Sequence, residues 1–366
     1  MNVKHVVEAL EQIAPPSLAA EWDNVGLLAG DAAAGVRKAM LCIDLTVGVL
    51  AEALAARCRM VVAYHPPIFK PIRRVTADRE PVVYQAVRRG IAVYAVHTAL
   101  DAAPQGTHDA LADVLDLANR RPMEPSAVKG QCKVVAFVPQ DDFSRVAQAA
   151  FDAGAGRIGR YRDCAFYSPG TGAFLGEAGA HPAVGKAGRR ETVGELRLEL
   201  ICPCQRAGEV CAAIRDAHSY ETPAIDVYPV DDYPQDCGLG RIGDVPRALS
   251  LAAAVARIKK RLGLPRVMLA RAAGKPQPIR TVACGAGSCG ELFRAAIAGG
   301  AQLYLTGEMR HHDLLAAAAA GLNVVCLGHS HSERLALPGL AARLADACRG
   351  LDVIVSKTDR DPMDIV

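Results

Sequence analysis

Aromatic side chains are scarce in this 366-residue chain: nine tyrosines, seven phenylalanines and a single tryptophan. They interleave with no basic stripe, which removes the usual basis for stacking along a nucleic-acid strand. Charge of one sign is lacking too. Lys and Arg total 42 against 39 Asp and Glu, a net charge of +3, so nothing in the charge balance proposes nucleic acid or an anionic membrane as the main partner. No uncharged apolar run reaches membrane-spanning length. The opening "MNVKHVVEALEQIAPP" carries Glu8 and Glu11 inside a short amphipathic pattern, unlike a basic region followed by an apolar one, and a cytoplasmic location is expected.

Cysteine is plentiful, but its patterning is absent. The twelve cysteines are scattered, no CxxC occurs, and Cys202 and Cys204 have no matching second pair to complete a zinc site. Many lie in apolar runs such as "LCID" and "VVCLG", where a reduced thiol acts as a small buried hydrophobe.

With 51% apolar and 22% charged residues, the chain can bury large cores, and its length favours at least two domains. The N-terminal part alternates strand and helix: "KAMLCIDLT", "VGVLAEALAARC", "RMVVAYH", "EPVVYQAVRRG", "IAVYAVHTALD". The C-terminal part repeats this texture through "PIRTVACG", "GELFRAAIAGG", "AQLYLTGE", "HDLLAAAAAG" and "LNVVCLGHSHSE" to a final strand "LDVIVS". Continuous apolar strands separated by helices imply parallel sheets covered on both faces, with ligands beyond the carboxyl ends of the strands. Between residues 128 and 236 the order becomes β-α-β-β-α-β, which suggests a ferredoxin-like α+β insert. The expected fold is therefore layered α/β: a discontinuous domain of residues 1–127 and 237–366, interrupted by an inserted domain of residues 128–236.

Polar residues collect where buried strands surface. "VVAYHPPIF" ends a β-branched run on Tyr64 and His65, stopped by two prolines. Asp101, Glu308, His329, His331 and Glu333 follow other apolar runs. His329 and Glu333 are four apart and share a face if "GHSHSE" is helical; otherwise Glu333 lies in the loop before the next helix. Imidazole and carboxylate ligands suit zinc, manganese or iron, and a carboxylate can bridge two ions in a hydrolytic site. "CGAGSCGE" matches G-x-G-x-x-G between a strand and a helix, although late in the chain. It reads as an anion-cradling loop or tight helix packing ahead of a dinucleotide site, which would make the protein an NAD oxidoreductase. In "MRHHD", adjacent histidines cannot both face a cleft, and His312 is the candidate to stand behind the ligands. "AHSYETPAID" reads as a structural turn.

Together "EWDNVGLLAG" (21–30), "CIDLT" (42–46), "YHPPIF" (64–69), "HTALDAAPQGTHD" (97–109), "TGEMRHHD" (306–313) and "GHSHSE" (328–333) resemble the dinuclear-metal-centre family known as GTP cyclohydrolase 1 type 2 homologues, the NGG-interacting-factor-like proteins. The insert's "GAFLG" and "AHSYETPAIDVYP" resemble its longer bacterial members. The resemblance implies a paired-metal cleft, a homohexamer assembled as a dimer of trimers, and an insert similar to trimeric regulatory domains. By motif, His65, Asp101 and Glu333 match the ligands of one metal, Glu333 bridges to a second, and His329 matches a ligand of that second ion. The family pattern begins with two adjacent histidines, and this chain has Tyr64 in place of the first. A neutral phenol with a pKa near ~10 is a poor zinc or manganese ligand, although phenolate binds ferric iron. One tight divalent ion is expected, with the second weakened, different or absent unless His97 or His331 helps. The implied activity is a metal-dependent hydrolase acting through a metal-bound water on a phosphate-bearing or heterocyclic small molecule, with His97 or His331 moving protons. The alternative is a non-catalytic metal-binding scaffold or regulator.

Overall fold

A computed structural model describes residues 1–363, the side chain of Lys129 excepted. The fold is mixed α/β with several sheets, and the chain divides into two compact units, Met1–Ala127 with Tyr233–Val366 and Val128–Asp232. Nine of the twelve cysteines are buried. No helix among the described residues is long and apolar enough to cross a membrane.

The first unit holds two main sheets. One has five strands in the order Gly26–Ala29, Ala92–Ala95, Met60–Ala63, Lys38–Cys42 and Asp352–Val355. Its last four strands are parallel, and Gly26–Ala29 runs antiparallel at the edge. The final strand read in "LDVIVS" thus completes the sheet begun at the N-terminus, pairing with Lys38–Cys42. Met60–Ala63 and Ala92–Ala95 are buried at every position, as strands covered on both faces must be. Thr46 caps the intervening helix Val47–Ala55 by accepting the Val49 N–H, one of the amides a helix start leaves unpaired.

The second sheet has six strands, Met268–Ala270, Asn323–Cys326, Leu303–Thr306, Ile279–Gly285, Arg241–Leu249 and Ala118–Arg121. Asn323–Cys326, Leu303–Thr306 and Ile279–Gly285 are parallel, and the flanking strands are antiparallel. Leu111, Leu115, Ile258, Val282, Leu303, Leu305 and Val325 form a buried core against it. A short pair, Gly238–Leu239 with Glu124–Pro125, stands where the chain leaves and re-enters this unit.

One stretch folds differently from its sequence pattern. "IAVYAVHTALD" reads as a strand, yet the strand stops at Ala95 and His97–Ala102 is a short helix. The cause is polar. The Asp23 carboxylate, from a distant turn, accepts from the Thr98 backbone N–H (3.1 Å) and hydroxyl (2.5 Å) and meets His97 Nδ1 at 2.8 Å, which turns the chain and satisfies the helix start. His97 takes a φ of +22° at this corner.

The second unit is a four-stranded antiparallel sheet with two helices, in the element order β-α-β-β-α-β. Counting its long strands along the chain, they lie fourth, first, third, second. Val134, Ala136, Val138, Leu198, Leu200, Val146 and Ile214 form its own core. His218 bonds Phe137 O through Nε2 and accepts from Tyr220 N–H, so "AHSYETPAID" is a structural turn.

Candidate metal centre

His65 lies just past Met60–Ala63, and pairing with the neighbouring strand continues to it: the Tyr64 and His65 amides donate to Cys42 O and Ile43 O. His329 opens the short helix His329–Glu333 after Asn323–Cys326, turned by Gly328 at a φ of +93°. The segment is helical, so His329 and Glu333 share a face, with Nε2 and Oε1 3.1 Å apart. His65 Nε2 approaches the other oxygen, Oε2, at 3.4 Å. The three side chains place ligand atoms within 4.8 Å of one another.

The far nitrogens of both rings are held by carboxylates. His65 Nδ1 meets Asp44 Oδ1 and His329 Nδ1 meets Glu308 Oε1, each at 2.9 Å. A ring that donates Nδ1–H to a carboxylate presents its Nε2 lone pair on the other side, the arrangement that orients metal-bound histidines. Here both lone pairs face Glu333, a carboxylate only 3% exposed, whose Oε2 has no hydrogen-bond partner among the described residues. Three electron-rich atoms converging on a buried point require a cation. Without a metal that cation is the proton. Burial opposes charge on His65, but Asp44 and Glu333 overcome it and lift the ring to about 10. The Glu333 hydrogen bond lifts His329 to about 9. Burial would raise the Glu333 carboxyl, yet the two rings hold it below its ordinary range. The donor set therefore fits a divalent ion.

Tyr64 and Asp101 make a different arrangement. The Tyr64 hydroxyl, fully buried, donates to Asp101 Oδ1 across a short contact. Burial raises the Asp101 carboxyl to about 6 and pushes the Tyr64 phenol well above its usual value. Asp101 stands outside the group of three, reaching the site from the helix His97–Ala102 with its carboxylate committed to the phenol. On the helix Thr107–Ala112, His108 is fully enclosed. Its Nδ1 accepts the Ala286 N–H at 3.1 Å, its Nε2 has no partner among the described residues, and burial lowers it to about 3.

His97 and His331 flank the centre. The His97 ring lies 5.2 Å from that of His65, with Nδ1 on Asp23, while His331 Nδ1 meets Asp361 Oδ2 at 2.9 Å. His312 is exposed and stacks edge-on to His311, so it does not stand behind the ligands. The glycines of "CGAGSCGE" answer to packing: a Cβ on Gly287 would lie 2.3 Å from Glu333 Oε1, and one on Gly285 2.7 Å from the Tyr304 hydroxyl. Sequence reasoning did not assign Asp44 to the site. Its signal was there, since Asp44 follows the buried strand Lys38–Cys42 as His65 follows Met60–Ala63. Asp23 and Asp361 carried no such signal, because each reaches its histidine from a distant loop.

Residues 1–362 match the model of the Duf34/NIF3 (NGG1p interacting factor 3) family. A GTP cyclohydrolase 1 type 2 homolog of Bacillus subtilis is 32% identical over 368 residues, covering 99% of this chain and 98% of the relative. Its Mycobacterium tuberculosis namesake is 36% identical over 319 residues, covering 85% and 83% of the two chains. A Bacillus cereus protein related to NIF3 superposes with a TM-score of 0.79 at 32% identity, covering 100% of this chain and 99% of that one. From this agreement along nearly the whole length, the chain belongs to the Duf34/NIF3 family.

Proposed function

We propose that this protein binds a divalent metal through His65, His329 and Glu333 and is a metal-dependent hydrolase of a phosphate-bearing or heterocyclic small molecule. The observation that carries the reading is the convergence of two carboxylate-backed imidazoles on a buried carboxylate with an unpartnered oxygen. A bound divalent ion would supply Lewis acidity and make water nucleophilic near neutral pH. Zinc, manganese and iron all suit these donors. Around it, Asp44 and Glu308 orient the two rings, and His97 and His331 keep Nε2 for moving a proton while Asp23 and Asp361 hold Nδ1. Asp101 becomes a further ligand only by giving up its hydrogen bond from Tyr64. One tight ion per subunit is therefore the reading, with the second site weakened at Tyr64. The relatives' name, GTP cyclohydrolase 1 type 2 homolog, supports the substrate class.

Elemental analysis of protein purified without chelator tests this: about one ion per subunit is expected, and none in His65→Ala. A non-catalytic metal-binding scaffold is the second reading, and the Tyr64–Asp101 hydrogen bond favours it by closing one half of a two-metal site. Metal retained without turnover of any phosphate ester or heterocycle, together with loss of assembly in His65→Ala, would select the scaffold. The domain limits 1–127 with 237–366 and 128–236, a ferredoxin-like identity for the insert, a homohexamer and a cytoplasmic location belong to the same proposal. The strand order of the second unit supports the insert's identity. The assembly rests on the family resemblance, and its mass in solution tests it.

A further inference from the structure

Trp22 is the only tryptophan of the chain, and it is 63% exposed. Exposed aromatic surface on a loose loop needs no explanation, but the chain on either side of this indole is pinned. The next residue, Asp23, has a fully enclosed carboxylate that binds His97 Nδ1, the Thr98 N–H and the Thr98 hydroxyl. Asn24 Nδ2 donates to Ile68 O at 2.6 Å, and on the other side the Ala20 N–H donates to the Thr98 hydroxyl at 3.0 Å. The chain thus fixes the backbone on both sides of an indole it leaves in water, against the usual gain from burying it.

Its neighbours give the exposure a direction. The Trp22 ring lies 5.9 Å from that of Phe69, itself 46% exposed, and 5.9 Å from that of His97. The His97 ring is 5.2 Å from His65, and His65 is 5.5 Å from His329. A continuous line of rings therefore leads from solvent to the metal ligands. The loop that carries Phe69 continues through Lys70, Arg73, Arg74 and Arg79, all exposed, which outnumber its acids Asp78 and Glu80, and none of these four enters an ion pair among the described residues. Arg73, Arg74 and Arg79, with Ile72 and the single acid Glu80, line an open hollow of about 330 Å³. Aromatic faces followed in the chain by a loop with an excess of cations complement a planar ring that carries phosphate.

We propose that Trp22 and Phe69 form a stacking platform for the heteroaromatic ring of a mononucleotide at the mouth of the metal centre, with the Lys70–Arg79 loop receiving its phosphate. This rests on reading the centre as a substrate site, and it narrows the substrate class to one with a stackable base.

Because Trp22 is the sole tryptophan, its emission reports this place alone. The full-length protein is titrated with guanosine 5′-monophosphate, adenosine 5′-monophosphate and ribose 5-phosphate, once as purified and once after chelation. Saturable quenching by both nucleotides and none by ribose 5-phosphate is the expected result. By calorimetry, Trp22→Ala weakens nucleotide binding roughly 5- to 150-fold and Trp22→Phe restores most of it, the range that stacking of one base spans. Phe69→Ala weakens it in the same sense, read by Trp22 emission. Metal content stays unchanged in all three variants. Equal binding of ribose 5-phosphate, no saturable response to either nucleotide, or emission that changes with protein concentration alone would each overturn the platform. The last of these would mark a contact between copies of the chain. Ring binding that survives chelation while elemental analysis finds no metal would leave the platform standing and remove the hydrolase reading, so the two failures are distinguishable.

Discussion

Two halves of one cleft treat charge in opposite ways. On the His65, His329 and Glu333 side, every ring is backed by a carboxylate, and the buried Glu333 is held ionised by the imidazoles it faces. On the Tyr64 and Asp101 side, burial dominates: the carboxyl rises to about 6 and the phenol stays neutral, and burial likewise lowers His108, on the helix Thr107–Ala112, to about 3. The first half invites a cation, and the second refuses charge. Both halves present oxygen and nitrogen donors, so a count of donors would not separate them. What separates them is whether partly exposed carboxylates, Asp44 and Glu308, reach the far nitrogens of the imidazole rings.

The largest effect should come from removing a member of the inviting half. His65→Ala takes away one of three converging donors and is expected to reduce bound metal from about one ion per subunit to near none. Inductively coupled plasma analysis of parent and variant after identical purification measures it. Metal retained at the parent level would show that Glu333 and His329 do not need His65, and the contrast between the halves would fail.

Converting the refusing half is the next largest. Tyr64→His replaces the buried phenol with an imidazole and frees Asp101 from the hydrogen bond that occupies it. Metal content is expected to rise towards two ions per subunit, read by the same analysis. An unchanged single ion would mean that the second half is closed by more than one side chain.

The inviting half was largely legible in the sequence. His65, His329 and Glu333 sit just past strands whose apolar runs are easily read, and beyond a parallel strand's carboxyl end there is little for a side chain to do but face the cleft. The refusing half was less so. Asp101 was placed at the end of a strand, whereas it projects from a helix whose start is fixed by Asp23, a residue far away in sequence. Periodicity reports local preference, and a long-range hydrogen bond to a helix start leaves no periodic trace. His312 fails for the converse reason, since its helix His311–Ala319 packs by Ala317 and turns both histidines outward. The final strand was read correctly as a strand, but its pairing with Lys38–Cys42 joins the two ends of the chain, which no local pattern encodes.

The refusal of charge should also appear as acid sensitivity. Because the folded His108 value lies below the ~6.5 of a free imidazole, the unfolded chain binds the extra proton between about 3 and 6.5. His108 thus contributes stability that is complete above pH 6.5 and is lost as pH falls through that window. Asp101 acts oppositely, since a carboxyl raised to about 6 favours the folded state on the acid side, and comparing variants with the parent cancels it. His108→Asn keeps an acceptor for the Ala286 N–H and removes the titration. In urea unfolding of chelated protein, the parent should lose about 3 kcal/mol more than the variant between pH 7 and pH 4. Parallel pH profiles would mean that His108 takes up its proton as readily in the folded chain as in the unfolded one.

The smallest effect sharpens the comparison most directly, because it touches only the carboxylates that set the halves apart. Asp44 and Glu308 are 43% and 47% exposed, so their ion pairs with His65 and His329 add little to folding, below about 1 kcal/mol each. Their effect should fall on the ligands instead. Without Asp44, His65 loses the partner that fixes its Nδ1–H tautomer and aims Nε2 at Glu333, and Glu308 does the same for His329. Asp44→Ala and Glu308→Ala are each expected to weaken metal binding about 10- to 100-fold while leaving the unfolding midpoint of the chelated protein nearly unchanged. Competition with a chromophoric chelator reads the first quantity and urea unfolding the second. A fall in stability with unchanged metal affinity would make these carboxylates struts of the fold, and the two halves would then differ in packing alone.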